Sequence, residues 1–157
     1  MLGQAQRAWL IEALASSSAR FKIVAFGNQV LNPICRFEGM GRYAHEREAL
    51  LAACADRGVT GLVFLSGDRH HSEIIVRDGP LPYRLLDITV SPLLSGTHGS
   101  GERDNPARLE GSYITDQRNF ALLHFEGRGS DRRLRIEFLD PDGRRLFQTT
   151  IPAAALR

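Results

Sequence analysis

Apolar positions recur along the first sixty residues in two different rhythms. Over residues 4–17 they fall at helical spacing: Trp9, Leu10, Ala13 and Leu14 share one face, Arg7 and Glu12 lie off it, and Ser16–Ser18 end the run. Residues 22–26, KIVAF, form an unbroken apolar stretch stopped by Gly27 and Asn28, the mark of a buried strand. A loop carrying Asn32-Pro33, Gly39 and Gly41 follows. Helical spacing returns over 43–57, with Leu50, Leu51 and Cys54 inward and Glu46, Arg47, Glu48 and Asp56 mostly outward, closed by Gly58. A second apolar strand then occupies 61–66.

From there the rhythm is that of strands alone. Residues 73–77, 84–91, 119–126, 133–139 and 144–150 read as strands with no helix between them, and DPDG at 140–143 reads as a hairpin turn. The Gly- and Ser-rich stretch from Pro92 to Gly111 reads as a long surface loop, of a length often tied to function. The order α-β-α-β predicts neighbouring parallel strands joined through a helix. The strands after it predict an antiparallel-rich sheet. The fold class is therefore α/β, half of a layered sandwich in a single domain over 1–157, with helices on the first sheet only.

Composition narrows the function classes. A hydrophobic share of 43% and a charged share of 24% suit a soluble globular domain. A net charge of +2 gives no nucleic-acid or polybasic membrane signal. No apolar run nears the ~18 residues of a membrane helix, and residues 1–20 carry no secretory leader, so the chain as written is expected to be cytoplasmic. Cys35 and Cys54 have no metal-finger spacing and read as free, semi-buried thiols.

The chemistry concentrates in GLVFLSGDRHHSEIIV, residues 61–76, where an apolar strand gives way to Ser66, Gly67, Asp68, Arg69, His70, His71, Ser72 and Glu73. Ligands in open α/β sheets sit beyond the carboxyl ends of strands. In extended backbone, residues two apart point the same way, so Asp68 and His70 converge while Arg69 and His71 turn aside. A carboxylate and an imidazole so placed suit a divalent or trivalent metal ion, and Gly67 permits a tight bend. A solvated loop is the plain alternative, and a serine hydrolase using Ser66 or Ser91 a third, although no G-x-S-x-G elbow is present.

Four segments in order, MLGQAQRAWLIEALASSSARFKIVAFGNQVL at 1–31, YAHEREALL at 43–51, GLVFLSGDRHHSEI at 61–74 and ITVSPLLSG at 88–96, resemble the C-terminal half of PhoD-like alkaline phosphatases/phosphodiesterases. These belong to the calcineurin-like metallophosphoesterases. The resemblance covers most of the chain and weakens after about residue 120. It implies a four-layer αββα sandwich around a multinuclear metal site, hydrolysing phosphate mono- and diesters. The metals it implies are iron with calcium, with manganese or zinc in relatives. It places metal ligands at Asp68 and His70, and polar site lining at Asn28 and Gln29. By their own chemistry, Arg69 reads as a phosphate clamp or an ion-pair partner of Glu73, and His71 as a support behind the ligands, a substrate contact or a surface polar residue. Glu46-Arg47 becomes a candidate structural ion pair. The superfamily's first ligand motifs have no counterpart here, so the chain is expected to be a portion of such an enzyme, inactive alone. The alternative is a non-catalytic domain that associates with a partner or a second copy through an exposed sheet. Such enzymes are usually exported. Ser91-Pro92, His98, His124, His45 and Trp9 read as a strand end, a mobile exposed histidine, a structural histidine, a helix-surface histidine and a core tryptophan.

Overall fold

The two strand rhythms become two sheets. The computed structural model describes residues 1–34, 36–98 and 104–157, which leaves the thiol expected at Cys35 outside the described residues. The elements run α1 (Gly3–Ser16), β1 (Lys22–Ala25), α2 (Ala44–Asp56), β2 (Leu62–Ser66), β3 (Glu73–Arg77), β4 (Leu85–Thr89), β5 (Phe120–Glu126), β6 (Arg133–Leu139) and β7 (Arg145–Pro152).

The first sheet has the order β1-β2-β4-β3. β1, β2 and β4 are parallel, in the registers Val24↔Phe64 and Phe64↔Asp87, and β3 returns antiparallel to β4. Strands 22–26 and 61–66 are thus parallel neighbours, as their order predicts. β4 is buried along its whole length and β2 nearly so, which is why they read as unbroken apolar runs rather than alternations. The second sheet, β5-β6-β7, is antiparallel. There β6 turns Leu134, Ile136 and Phe138 to the core, all fully buried. Its opposite face carries Arg135, which pairs with Glu126 and Glu137. The DPDG turn joins β6 to β7. Asp140 Oδ1 accepts from the backbone N–H of Asp142 and Arg144 at 3.0 and 2.8 Å, and Gly143 takes the left-handed φ of 82°. One cluster of buried side chains, from Leu10 and Leu51 through Phe64 and Ile88 to Ile136 and Phe138, joins helices and both sheets.

α2 buries Leu50, Leu51 and Cys54, and burial pushes the Cys54 thiol up to about 11. α1 corrects the sequence reading. Leu10 and Leu14 are buried, but Trp9 is 66% exposed and Ala13 is exposed. The inward stripe is completed by Ile11 and Ala15 instead. Both 9/13 and 11/15 flank the 10/14 axis, so helical spacing alone could not choose between them. Glu46 and Arg47 also take separate partners. Glu46 accepts from the backbone N–H of Leu2 and Gly3 at the start of α1, while Arg47 donates to Glu48 at 2.8 Å.

The stretch expected as a surface loop over 92–111 is partly a strap. Its later part runs along the outer edge of β3. Val76 N–H donates to Ala107 O at 2.7 Å, Leu109 N–H to Ile74 O at 2.8 Å, and Ser72 and Ile114 bond each other in both directions. With Asn105 and Ser112 buried, this segment satisfies donors that a bare β3 edge would leave open. β1, at the other end of the sheet order, keeps its edge position.

Candidate functional site

Parallel pairing brings three strand ends together. Phe26 N–H donates to Leu65 O at 2.8 Å and Val90 N–H to Ser66 O at 2.9 Å. Gly67 sits where the ends meet: a Cβ there would stand 3.6 Å from Val90 O and 4.0 Å from Gly27 O. Asn28, Asp68–His70 and Ser91 therefore emerge side by side at the carboxyl end of the sheet, where α/β folds place their ligands.

The backbone at this point is not extended. Asp68 and His70 have φ of 61° and 59°, the left-handed region that costs an L residue about 1–2 kcal/mol. The i, i+2 argument for convergence thus gives way to the tight bend that Gly67 permits, with left-handed backbone at Asp68 and His70 that the sequence did not reveal. Asp68 is exposed and His70 half-buried. His70 is held on several sides: its N–H donates to Ser91 Oγ at 3.1 Å, its Nδ1 meets Gly96 O, and its carbonyl accepts from His98 N–H at 3.2 Å. His98 is exposed, as expected, but it is tied to the site. Its ring meets that of His70 edge-to-face at 5.2 Å.

The other candidates turn inward. Arg69 is buried, its guanidinium over the Phe37 ring at 5.0 Å. His71 is 4% exposed, so the surface-residue alternative fails: the left-handed turn swings it under the strand end instead of into solvent. Its Nε2 lies 3.1 Å from Glu73 Oε1, and its ring packs on Tyr113. Gln29 is 3% exposed. Its Nε2 donates to Glu73 Oε1 and Thr89 Oγ1 at 2.7 and 2.8 Å, and its Oε1 accepts from Asn32 at 2.7 Å. That amide is committed to the interior. Asn28 differs: its Oδ1 is buried with no hydrogen-bond partner among the described residues. His45 lies exposed on α2, and His124 on β5 lies 2.8 Å from Glu137.

Beneath the turn lies a polar layer that sequence reasoning missed. Period-two geometry puts Ser66, Glu73, Asp87 and Thr89 on one sheet face. Asp87 is fully buried, and its Oδ2 accepts from the backbone N–H of Val30 and Leu31 at 2.6 and 2.9 Å. Its Oδ1 accepts from Ser66 Oγ at 2.8 Å. Burial drives its pKa up, against these hydrogen bonds. Glu73, also fully buried, accepts from Arg108 Nε at 2.6 Å. Burial would raise its pKa, but His71, Gln29 and Arg108 together hold it below the usual range. The layer clamps the segment after β1 onto the sheet. A carboxylate inside an apolar strand, as in LLDIT, was the available signal. Ser66 belongs to this layer and is buried against Asp87, which leaves it no nucleophile's exposure.

The donors at the strand ends are a carboxylate, an imidazole and a free amide oxygen, the mixed N/O chemistry that iron, calcium, manganese and zinc accept. They fit one flank of such a site. Among the described residues no three His, Cys, Asp or Glu side chains gather into a metal-holding group, so they do not enclose an ion. Nor is any described helix long and apolar enough to cross a membrane.

Likeness to known proteins bears on the fold and the family. Among solved structures, one described as the structure of PhoD superposes with a TM-score of 0.67 at 16% identity. The match covers 99% of this chain and 34% of that one, so the chain spans about a third of the protein it matches. At that identity the likeness is one of fold. No curated protein matches significantly. The PhoD-like phosphatase family model matches residues 1–131, which takes in both helices, the first sheet, the Asp68–His70 turn and the strap. A match over that much of the sequence makes the chain a member of the PhoD-like phosphatase family.

Proposed function

We propose that this chain supplies one flank of a metal-dependent phosphoric ester hydrolase, acting on phosphomonoesters or phosphodiesters, and does not turn over substrate alone. The observation that carries the reading is the Asp68–His70 turn. Two metal-type side chains, both in left-handed backbone, stand at the meeting point of three parallel strand ends. Local strain of this kind concentrates at functional sites.

In this reading Asp68 and His70 hold metal, of the iron, calcium, manganese or zinc class. When bound, the metal polarises a phosphoryl oxygen and supplies a nucleophile at neutral pH. The chain's own residues set the stage. Asp68 brings anionic charge to the mouth, Asn28 lines it with its unpartnered Oδ1, and Arg69 stiffens the turn from below by stacking on Phe37. Two ligands fall short of the three or four that a site requires. The remaining ligands would come from sequence beyond this chain, which would also complete a four-layer αββα sandwich. Export of the whole enzyme, the habit of its family, accords with this reading.

The test is hydrolysis of p-nitrophenyl phosphate and bis-p-nitrophenyl phosphate by the purified chain, with iron, calcium, manganese or zinc added. Calorimetric titration of the same ions runs beside it, with Asp68→Ala and His70→Ala as comparisons. Weak metal binding lost in both variants, without turnover, is expected. Metal-dependent turnover abolished in the variants would overturn the claim that the site is partial. Metal binding unchanged in the variants would overturn the ligand assignment.

A second reading has an observation of its own. β1 and β5 are sheet-edge strands, and Phe21 beside β1 meets Phe125 of β5 at 5.8 Å, so the two edges lie together. Phe125 is 43% exposed on that side, and Leu122, on the opposite face of β5, is exposed to the same degree. Apolar edges of this sort favour association with a partner or a second copy. Sedimentation over a concentration series should show association that Phe125→Glu weakens; a monomer at every concentration would refute it.

A further inference from the structure

The residues that fix His70 all lie in one short segment, Ser91–His98. Ser91 Oγ accepts from the His70 backbone N–H at 3.1 Å. His98 N–H returns to the His70 carbonyl at 3.2 Å. Gly96 O meets His70 Nδ1. The segment is itself anchored: Ser91 N–H donates to Ser72 Oγ at 2.9 Å, and Thr115 Oγ1 donates to His98 O at 2.7 Å.

A carbonyl oxygen only accepts. A hydrogen bond between Gly96 O and Nδ1 therefore requires the proton on Nδ1, and in the neutral ring the lone pair then sits on Nε2. The edge-to-face contact with His98, at an interplanar angle of 82°, fixes the ring plane as well. We propose that the Ser91–His98 segment is a positioning device that holds His70 in the Nδ1–H tautomer and makes Nε2 its ligating atom. This rests on the reading of His70 as a metal ligand. Outer groups of this kind orient ligating histidines and raise their basicity, and losing one typically costs ~10–100-fold in metal affinity. The segment follows a strand end that already bonds to the turn, so it supplies the outer shell from within the chain. Ser91, Gly96 and His98 act through His70 and need not touch substrate.

Long-range 1H–15N correlation spectra of the metal-free, 15N-labelled chain test this directly. They are recorded well above the ordinary imidazole pKa of ~6.5, with the His70 signals assigned by their loss in His70→Gln. The expected result is a proton-bearing Nδ1 and a lone-pair Nε2 at His70. Ser91→Ala should mix the tautomers and weaken zinc binding by ~10-fold or more, and Ser91→Thr, which keeps the hydroxyl acceptor, should restore both. A proton on Nε2 in the parent chain, or a Ser91→Ala spectrum identical to the parent's, would overturn the inference. Zinc added to the parent then separates the two claims. A shift at His70 Nε2 supports ligation, whereas an unmoved Nε2 with the expected tautomer refutes ligation and leaves the tautomer assignment standing.

Discussion

Asp87 offers the sharpest check on how the site is held. It sits inside the first sheet with no exposed surface, and among the described residues no cation bonds its carboxylate. Asp87→Ala would strand the buried N–H groups of Val30 and Leu31. Each orphaned donor costs about 1–3 kcal/mol, so the substitution should destabilise the chain by roughly 2–6 kcal/mol. Against the 5–15 kcal/mol typical of a whole domain, that is a large fraction. Asp87→Asn should behave quite differently. An amide oxygen at the Oδ2 position keeps both backbone bonds. An amide nitrogen at the Oδ1 position can donate to Ser66 Oγ, whose own hydrogen turns to Thr89 Oγ1, 3.0 Å away. It does so without an ionised group in the interior, so its stability at pH 7 should match or exceed the parent's. Because burial raises the folded pKa, the folded state holds a proton that the unfolded state releases. The parent is then most stable relative to Asp87→Asn below the ordinary aspartate pKa of ~3.9. It loses ground as pH rises from there through the folded value. Urea unfolding followed by circular dichroism across this range measures both effects. An alanine cost under about 1 kcal/mol, an asparagine as harmful as alanine, or a gap independent of pH would each refute the reasoning.

Glu73→Ala should remove the buried carboxylate that Arg108, His71 and Gln29 all bond, at a cost of about 3–5 kcal/mol, read from the same urea midpoints. Since its neighbours hold the Glu73 pKa below the usual range, its contribution is complete above the ordinary glutamate pKa of ~4.3. It disappears as pH falls through the lower folded value, so the parent and Glu73→Ala curves should approach each other in acid. Trp9→Ala, on the exposed side of α1, should change stability by no more than ~0.5 kcal/mol; a core-sized loss would mean the helix is rotated. Gly61→Ala should destabilise by more than ~1 kcal/mol in thermal or urea unfolding. Gly61 has φ of +72° and a Cβ would stand 2.2 Å from Arg20 O, so a neutral result would refute the close approach of the two segments.

The sequence by itself determined the elements and their kind. Hydrophobic period separates the α-β-α-β half from the strand-only half because burial on two faces, one face or one helical stripe leaves different spacings in the chain. It also marked the end of the sheet proposed as the site, since a run like LVFLS breaking into Gly67, Asp68, Arg69 and His70 concentrates polar chemistry where strands stop. What it could not determine is direction. The pairs Trp9/Ala13 and Ile11/Ala15 stand symmetrically about the Leu10–Leu14 axis, and only packing against the rest of the core selects the Ile11 side. His71 and Gln29 look like site-lining residues until the left-handed turn and the loop after β1 carry them beneath the surface to Glu73. The layer joining Ser66, Glu73, Asp87 and Thr89 spans strands far apart in sequence, so no local spacing announces it. The strap along β3 follows the same logic. A Gly-rich stretch gains structure there because the edge of a neighbouring strand offers hydrogen bonds, and that edge exists only once the sheet has formed.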